Sequence, residues 1–97
     1  MDRQNNIEFV FNISSEFMFY KINGDMILYT DPNNFIGKNI KDVLPENVAS
    51  ITTIMIDKCF ETCEKQEYDY ELSNQNFHSI LIYVANLHHV LATITRK

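Results

Sequence analysis

Glycine and proline are scarce, two of each in 97 residues, so the few turn signals are easy to assign. Two glycines are also too few for most loops that cradle a nucleotide phosphate. Cysteine is equally sparse: Cys59 and Cys63 lie four residues apart, a helical spacing that does not suit disulfide geometry. Free thiols in a reducing compartment are expected, which points to the cytoplasm. No apolar run approaches the ~20 residues a membrane span needs, and the start Met1-Asp2-Arg3-Gln4-Asn5-Asn6 is too polar for a signal peptide. Direct membrane contact is therefore not expected. Basic residues fall short as well, 8 against 13 acidic, and the net charge of −5 would repel phosphate backbones and anionic lipid surfaces. Nucleic acid is excluded as an expected partner. No repeat, low-complexity tract or Gly/Ser linker divides the chain.

What is present is ordinary globular composition, 45% hydrophobic and 22% charged. A chain of this length makes one domain, and folding should remove roughly 60 to 70% of its extended-chain surface from water. From Gln4 to Asn12 the apolar Ile7, Val10 and Phe11 sit at helical spacing and predict a short amphipathic helix, although Phe9 also permits a strand. Glu16 to Asn23 is rich in aromatics, Asn23-Gly24-Asp25 supplies turn chemistry, and Met26 to Thr30 follows, so the pair reads as a hairpin. Asp31-Pro32-Asn33-Asn34 breaks the strand. Ile40, Val43 and Leu44 then mark a short helical turn.

Pro45 can open a longer helix, since proline in the first turn forfeits no needed hydrogen bond, and Glu46 suits the positive end of the dipole. Val48, Ile51, Met55, Cys59 and Cys63 gather on its apolar side, opposite Ser50, Thr53, Asp57, Glu61 and Glu64. After Lys65-Gln66 the period changes to two. Tyr68, Tyr70 and Leu72 alternate with Glu67, Asp69 and Glu71, the pattern of a strand with one wet face. Ser73-Asn74-Gln75-Asn76 marks a turn, and the nearly continuous apolar stretches His78 to Ala85 and His89 to Thr95 read as central strands covered on two faces. Layer logic gives an α+β domain, an antiparallel sheet with helices on one face. Its other face would still carry apolar side chains, to be covered by the N-terminal helix or by a second copy.

The order of these elements, and the strings FYKINGDMILY, IGKNIKDVLPENVA, IDKCFETCEKQEYDYEL and HHVLATITRK, resemble the PAS domain family. The likeness is to the PAS modules that precede histidine kinase and cyclase cores. It implies one PAS domain over 1–97, with a flanking helix in 1–14 and the core in 16–97. The sheet would have five strands in the order 2-1-5-4-3. It also implies a regulatory module of a signalling protein with an attached effector domain, a homodimer, and no catalysis. Family members often continue past the last strand through Asp-Ile-Thr into an output helix, whereas this sequence stops at Arg96-Lys97. A segment of a larger protein is expected, with a stand-alone protein as the other reading.

No cofactor is expected. The Asn-Cys-Arg-Phe type motif of flavin-linked relatives is absent, and residues 46 to 64 hold no histidine of the kind that haem-binding relatives place there. Cys59 and Cys63 read as small core residues. His78, His88 and His89 flank the last two strands; neighbouring histidines on an extended segment face opposite ways and make a poor metal clamp, so strand-end positions or pH sensing are the readings left. Glu67, Asp69 and Glu71 share one strand face, either as a solvated surface or as carboxylates for acid–base work or a cation. A ligand pocket between long helix and sheet would be lined by Phe19, Ile36, Ile51, Met55, Tyr70, Ile82 and Ile94, and a filled core is the alternative. Ile7, Val10 and Phe11 are the expected dimer contact.

Overall fold

The computed structural model describes residues 5–24 and 31–97. Five strands form one antiparallel sheet: β1 (Asn6–Phe11), β2 (Phe17–Asn23), β3 (Gln66–Leu72), β4 (Gln75–Val84) and β5 (His89–Arg96). Their spatial order is β2-β1-β5-β4-β3. A 3₁₀ turn (Pro32–Asn34), a single-turn helix α1 (Ile40–Val43) and the long helix α2 (Glu46–Thr62) connect β2 to β3. α2 packs on one face across β3, β4 and β5. The order matches expectation, but the first two strands are not the predicted hairpin.

The segment read as an N-terminal helix is β1. Its side chains alternate: Ile7, Phe9 and Phe11 enter the core, while Glu8 and Val10 face the other way. The strand pairs with β5, Asn6 to Thr95 and Phe11 to Val90. Four aromatic or β-branched residues in six suit a pleated strand better than a helix, where such side chains lose rotamer freedom. Glu16 to Asn23, read as the first strand, is thereby displaced to the sheet edge, and its expected partner Met26 to Thr30 lies outside the described residues.

β2 contains a bulge. Val10 aligns with Phe19 and Phe11 with Phe17, so Met18 is the extra residue. One inserted residue reverses which side chains face the core. Phe17 consequently points inward and is fully buried, whereas Phe19 points outward.

The β2–α1 connection is tied to the start of β2. Phe17 N–H donates to the Lys38 carbonyl (3.0 Å), Gly37 N–H to the Phe17 carbonyl (2.8 Å), and Ile40 N–H to the Ser15 carbonyl (3.0 Å). Gly37 holds φ +85°, a conformation open to glycine without steric cost. Asn39 caps α1, its Oδ1 accepting from Lys41 N–H while its amide donates to the Ser14 carbonyl. These bonds hold Phe35 and Ile40 in the core.

On α2 the buried residues are Val48, Ala49, Thr52, Ile56 and Cys59. The inward stripe is turned by about half of one residue's 100° step from that predicted. Ile51 is therefore 37% exposed and Met55 is only partly buried against the core. Cys63 ends the helix in a left-handed conformation and is exposed, so of the two cysteines only Cys59 is a core residue. Burial, reinforced by the neighbouring Cys63, pushes the Cys59 thiol pKa up and makes it a poor nucleophile.

Candidate functional site: an aromatic cavity and an uncovered sheet face

The inner face of the sheet does not fill the space beneath the helices. Phe9, Phe11, Phe17 and Phe35 cluster at one end, with Phe17 at the centre: its ring centroid lies 5.0 Å from Phe9, 4.7 Å from Phe11 and 5.1 Å from Phe35. These spacings and tilts are the favourable range for aromatic pairs. Tyr70 stacks on Phe77 at 5.4 Å along the other side. Between the two groups lies a cavity of about 120 Å³. Ala92 and Ile94 of β5 form part of its floor, and Leu72, Ser73 and Gln75 carry it to the β3–β4 turn, where Ser73 and Gln75 are exposed.

The cavity wall is apolar and aromatic with few polar groups. Tyr68 donates a hydrogen bond to the Thr52 hydroxyl across 2.9 Å, linking β3 to α2. Burial raises the pKa of the Tyr68 phenol and, more strongly, that of Tyr70, which keeps both neutral at physiological pH. Among the described residues no Asp, Glu, Lys, Arg or His lines the cavity. Such a wall favours a small uncharged apolar guest.

Of the seven pocket residues expected from sequence, Tyr70 and Ile94 line this cavity. Phe19, Ile36, Ile51 and Ile82 are exposed, at 59, 40, 37 and 45%, and Met55 lies outside the lining. Most misses are offsets of one residue: Phe35, Thr52 and Leu81 are buried instead, and Phe35 and Thr52 line the space. Of the expected dimer residues, Ile7 and Phe11 are buried on the cavity side, which corrects their assignment to a contact surface. Val10 remains half-buried on the opposite face.

That outer face is ordered in rows. Register aligns Phe19, Val10, Leu91 and Ile82 across four strands, an apolar band whose two ends are exposed. The next row is mixed: Lys21, Glu8, Thr93, Ile80 and Glu67. The third is polar, Asn23, Asn6, Thr95, His78 and Asp69, with the Asn23 amide donating to Asn6 Oδ1 and Glu8 Oε2. Among the described residues no helix lies on this face.

At its β3–β4 corner His78 stands between two carboxylates. Nδ1 is 2.6 Å from Asp69 Oδ1 and Nε2 is 3.1 Å from Glu67 Oε1. Lys97 Nζ lies 3.1 Å from Asp69 Oδ2, and Lys65 Nζ 3.6 Å from Glu67 Oε2. Hydrogen bonds to Asp69 and Glu67 raise the His78 pKa, and the same contacts lower theirs. Sequence reasoning missed this group because the turn was read as four residues. It has two, Ser73 and Asn74, both with positive φ, and that turn places His78 directly opposite Asp69. His88 lies instead in the β4–β5 turn, its Nδ1 2.8 Å from the Tyr83 hydroxyl. Among the described residues no three His, Cys, Asp or Glu side chains converge on a point suited to a metal ion.

Solved structures share this five-stranded sheet capped on one face by a long helix. The PAS domain of the histidine kinase ThkA superposes with a TM-score of 0.68 at 16% identity, covering 94% of this chain and 98% of that one. The chain has the PAS fold. A second match is a domain of an HTR-like protein from Haloarcula marismortui, with a TM-score of 0.76 at 12% identity, covering 94% of this chain and 96% of that one. No family model and no curated protein matches the sequence. For this PAS fold, no helix among the described residues is long and apolar enough to cross a membrane.

Proposed function

We propose that this chain is a sensory module of a signalling protein that works through packing. Two copies meet through their outer sheet faces, and a change in that contact biases an attached effector such as a histidine kinase. The observation that carries the reading is the apolar row Phe19–Val10–Leu91–Ile82, exposed at both ends and half-buried in the middle, on a face that no helix covers among the described residues. The likeness to the PAS domain of a histidine kinase supports it. In this reading the chain performs no reaction itself.

Sedimentation over a concentration series tests the contact. Self-association is expected, and Val10→Asp should weaken it at least tenfold, because a two-fold contact buries the introduced carboxylate twice. Val10 is only half-buried, so the fold should survive, as circular dichroism would verify. A strict monomer at millimolar concentration would defeat this reading.

The cavity favours a second reading, a receptor for a small molecule. The apolar space of about 120 Å³ opens toward the β3–β4 turn, and a fitting guest would make contacts with its wall that water makes poorly. Its size and uncharged wall suit a single-ring or short-chain apolar compound and are too small for haem or flavin. Absorbance of the purified protein and mass spectrometry after denaturation test this directly. Absence of any released compound, together with no thermal shift from benzene or indole, would leave the packing reading alone.

A further inference from the structure

The corner of the sheet around His78 has a geometry that only one protonation state satisfies. A neutral imidazole carries one N–H donor and one lone pair, whereas the imidazolium carries two donors. Here both ring nitrogens face carboxylate oxygens, Asp69 on one side and Glu67 on the other. In the neutral ring one carboxylate would confront a lone pair. Both contacts are therefore favourable only when His78 is charged.

The surroundings concentrate the effect. The groups facing the ring from β3 are Glu67 and Asp69, with Glu71 further along the same side; from β5 the register neighbour is Thr95, which does not titrate. Lys97 and Lys65 contact the outer oxygens of the two carboxylates. Lys97 is itself held by its backbone N–H, which donates to the Asn76 carbonyl across 2.9 Å. Protonation of one ring thus binds two residues of β3 to β4, next to the point where the chain leaves β5. The histidine side chain is 36% exposed, so protons reach it without any opening of the fold.

We propose that His78 is a proton-operated clamp between β3 and β4, and that proton concentration is an input this domain reads on its outer sheet face. The clamp is closed while the imidazolium bridges Asp69 and Glu67. Loss of its proton removes one positive charge from the patch and turns one of the two contacts repulsive. The input goes beyond self-association and does not depend on it, since both contacts of the ring lie within one chain.

The sign follows from the raised pKa. The clamp's stabilisation is present in full below the ordinary histidine value and is lost as pH rises through the folded-state value. Proton NMR titration of the three imidazoles, with His78→Gln to assign the signal, should give His78 a midpoint above that of an unstructured histidine. Asp69→Asn and Glu67→Gln should each move it back toward that ordinary value. Between the two midpoints the folding equilibrium constant of the wild type should fall relative to His78→Gln, by at most about tenfold per pH unit for a single proton. Lys97→Ala separates the roles of Asp69, because it removes the lysine contact and leaves the imidazole contact in place. A His78 midpoint at or below the ordinary value, or one unmoved in both carboxylate variants, would overturn the proposal.

Discussion

Ala92 is the position at which the cavity can be probed most directly. It is 1% exposed, faces the space, and stands in register between Phe9 on β1 and Leu81 on β4. A small residue between two large ones leaves room above the middle of the sheet. Replacing it by valine adds two carbons, each worth about 0.8 kcal/mol when buried in a space that can receive them. About 0.5 kcal/mol is lost in ordering the larger side chain. A β-branched residue suits the strand, so the net expectation is a gain of about 1 kcal/mol. With a urea dependence of about 2 kcal/mol per molar, the midpoint of urea unfolding should rise by about 0.5 M at unchanged slope. If the interior were already filled, the same substitution would overpack it and cost about 1 to 3 kcal/mol. A midpoint that falls by about 0.5 M or more would thus refute the existence of usable space beside Ala92. A guest that stabilises the wild type but not Ala92→Val would locate its site.

Two further substitutions test the walls. Tyr68→Phe removes the donor to Thr52 and should cost about 1 kcal/mol in urea unfolding, and no loss at all would show that the bond between β3 and α2 carries no net stability. Phe17→Ala removes the ring on which Phe9, Phe11 and Phe35 converge, and thermal unfolding should show a loss of about 3 to 5 kcal/mol. A loss below 1 kcal/mol would mean that the aromatic cluster collapses around the gap.

How much of this was legible in the sequence depends on whether local pattern or long-range pairing decides. The alternation of Tyr68, Tyr70 and Leu72 with Glu67, Asp69 and Glu71 settled β3 and its wet face, because nothing distant competes with a period of two. Pro45 and the apolar stripe after it placed α2, although the stripe's centre is fixed by what the sheet offers and was misjudged by half a step. β1 was ambiguous in principle. Ile7, Val10 and Phe11 fit a helix, Ile7, Phe9 and Phe11 fit a strand, and the choice is made by pairing with β5, at the far end of the sequence. The pocket residues suffered from parity. Phe17 and Phe19, which would share a face in a regular strand, lie on opposite faces because of the bulge at Met18, which no composition rule announces. The His78 clamp was readable in hindsight from Ser73-Asn74, since a two-residue turn fixes every pairing in its hairpin.

The pairing of β1 with β5 has a mechanical consequence. The first and last strands are antiparallel neighbours, so the residue where β1 begins, Asn6, lies across from Thr95, near the end of β5. Tension applied through the two flanks would load the ladder at that single rung and peel it open bond by bond, instead of shearing all its bonds together. Such a seam resists little force, and a domain built around it would yield first at the middle of its sheet.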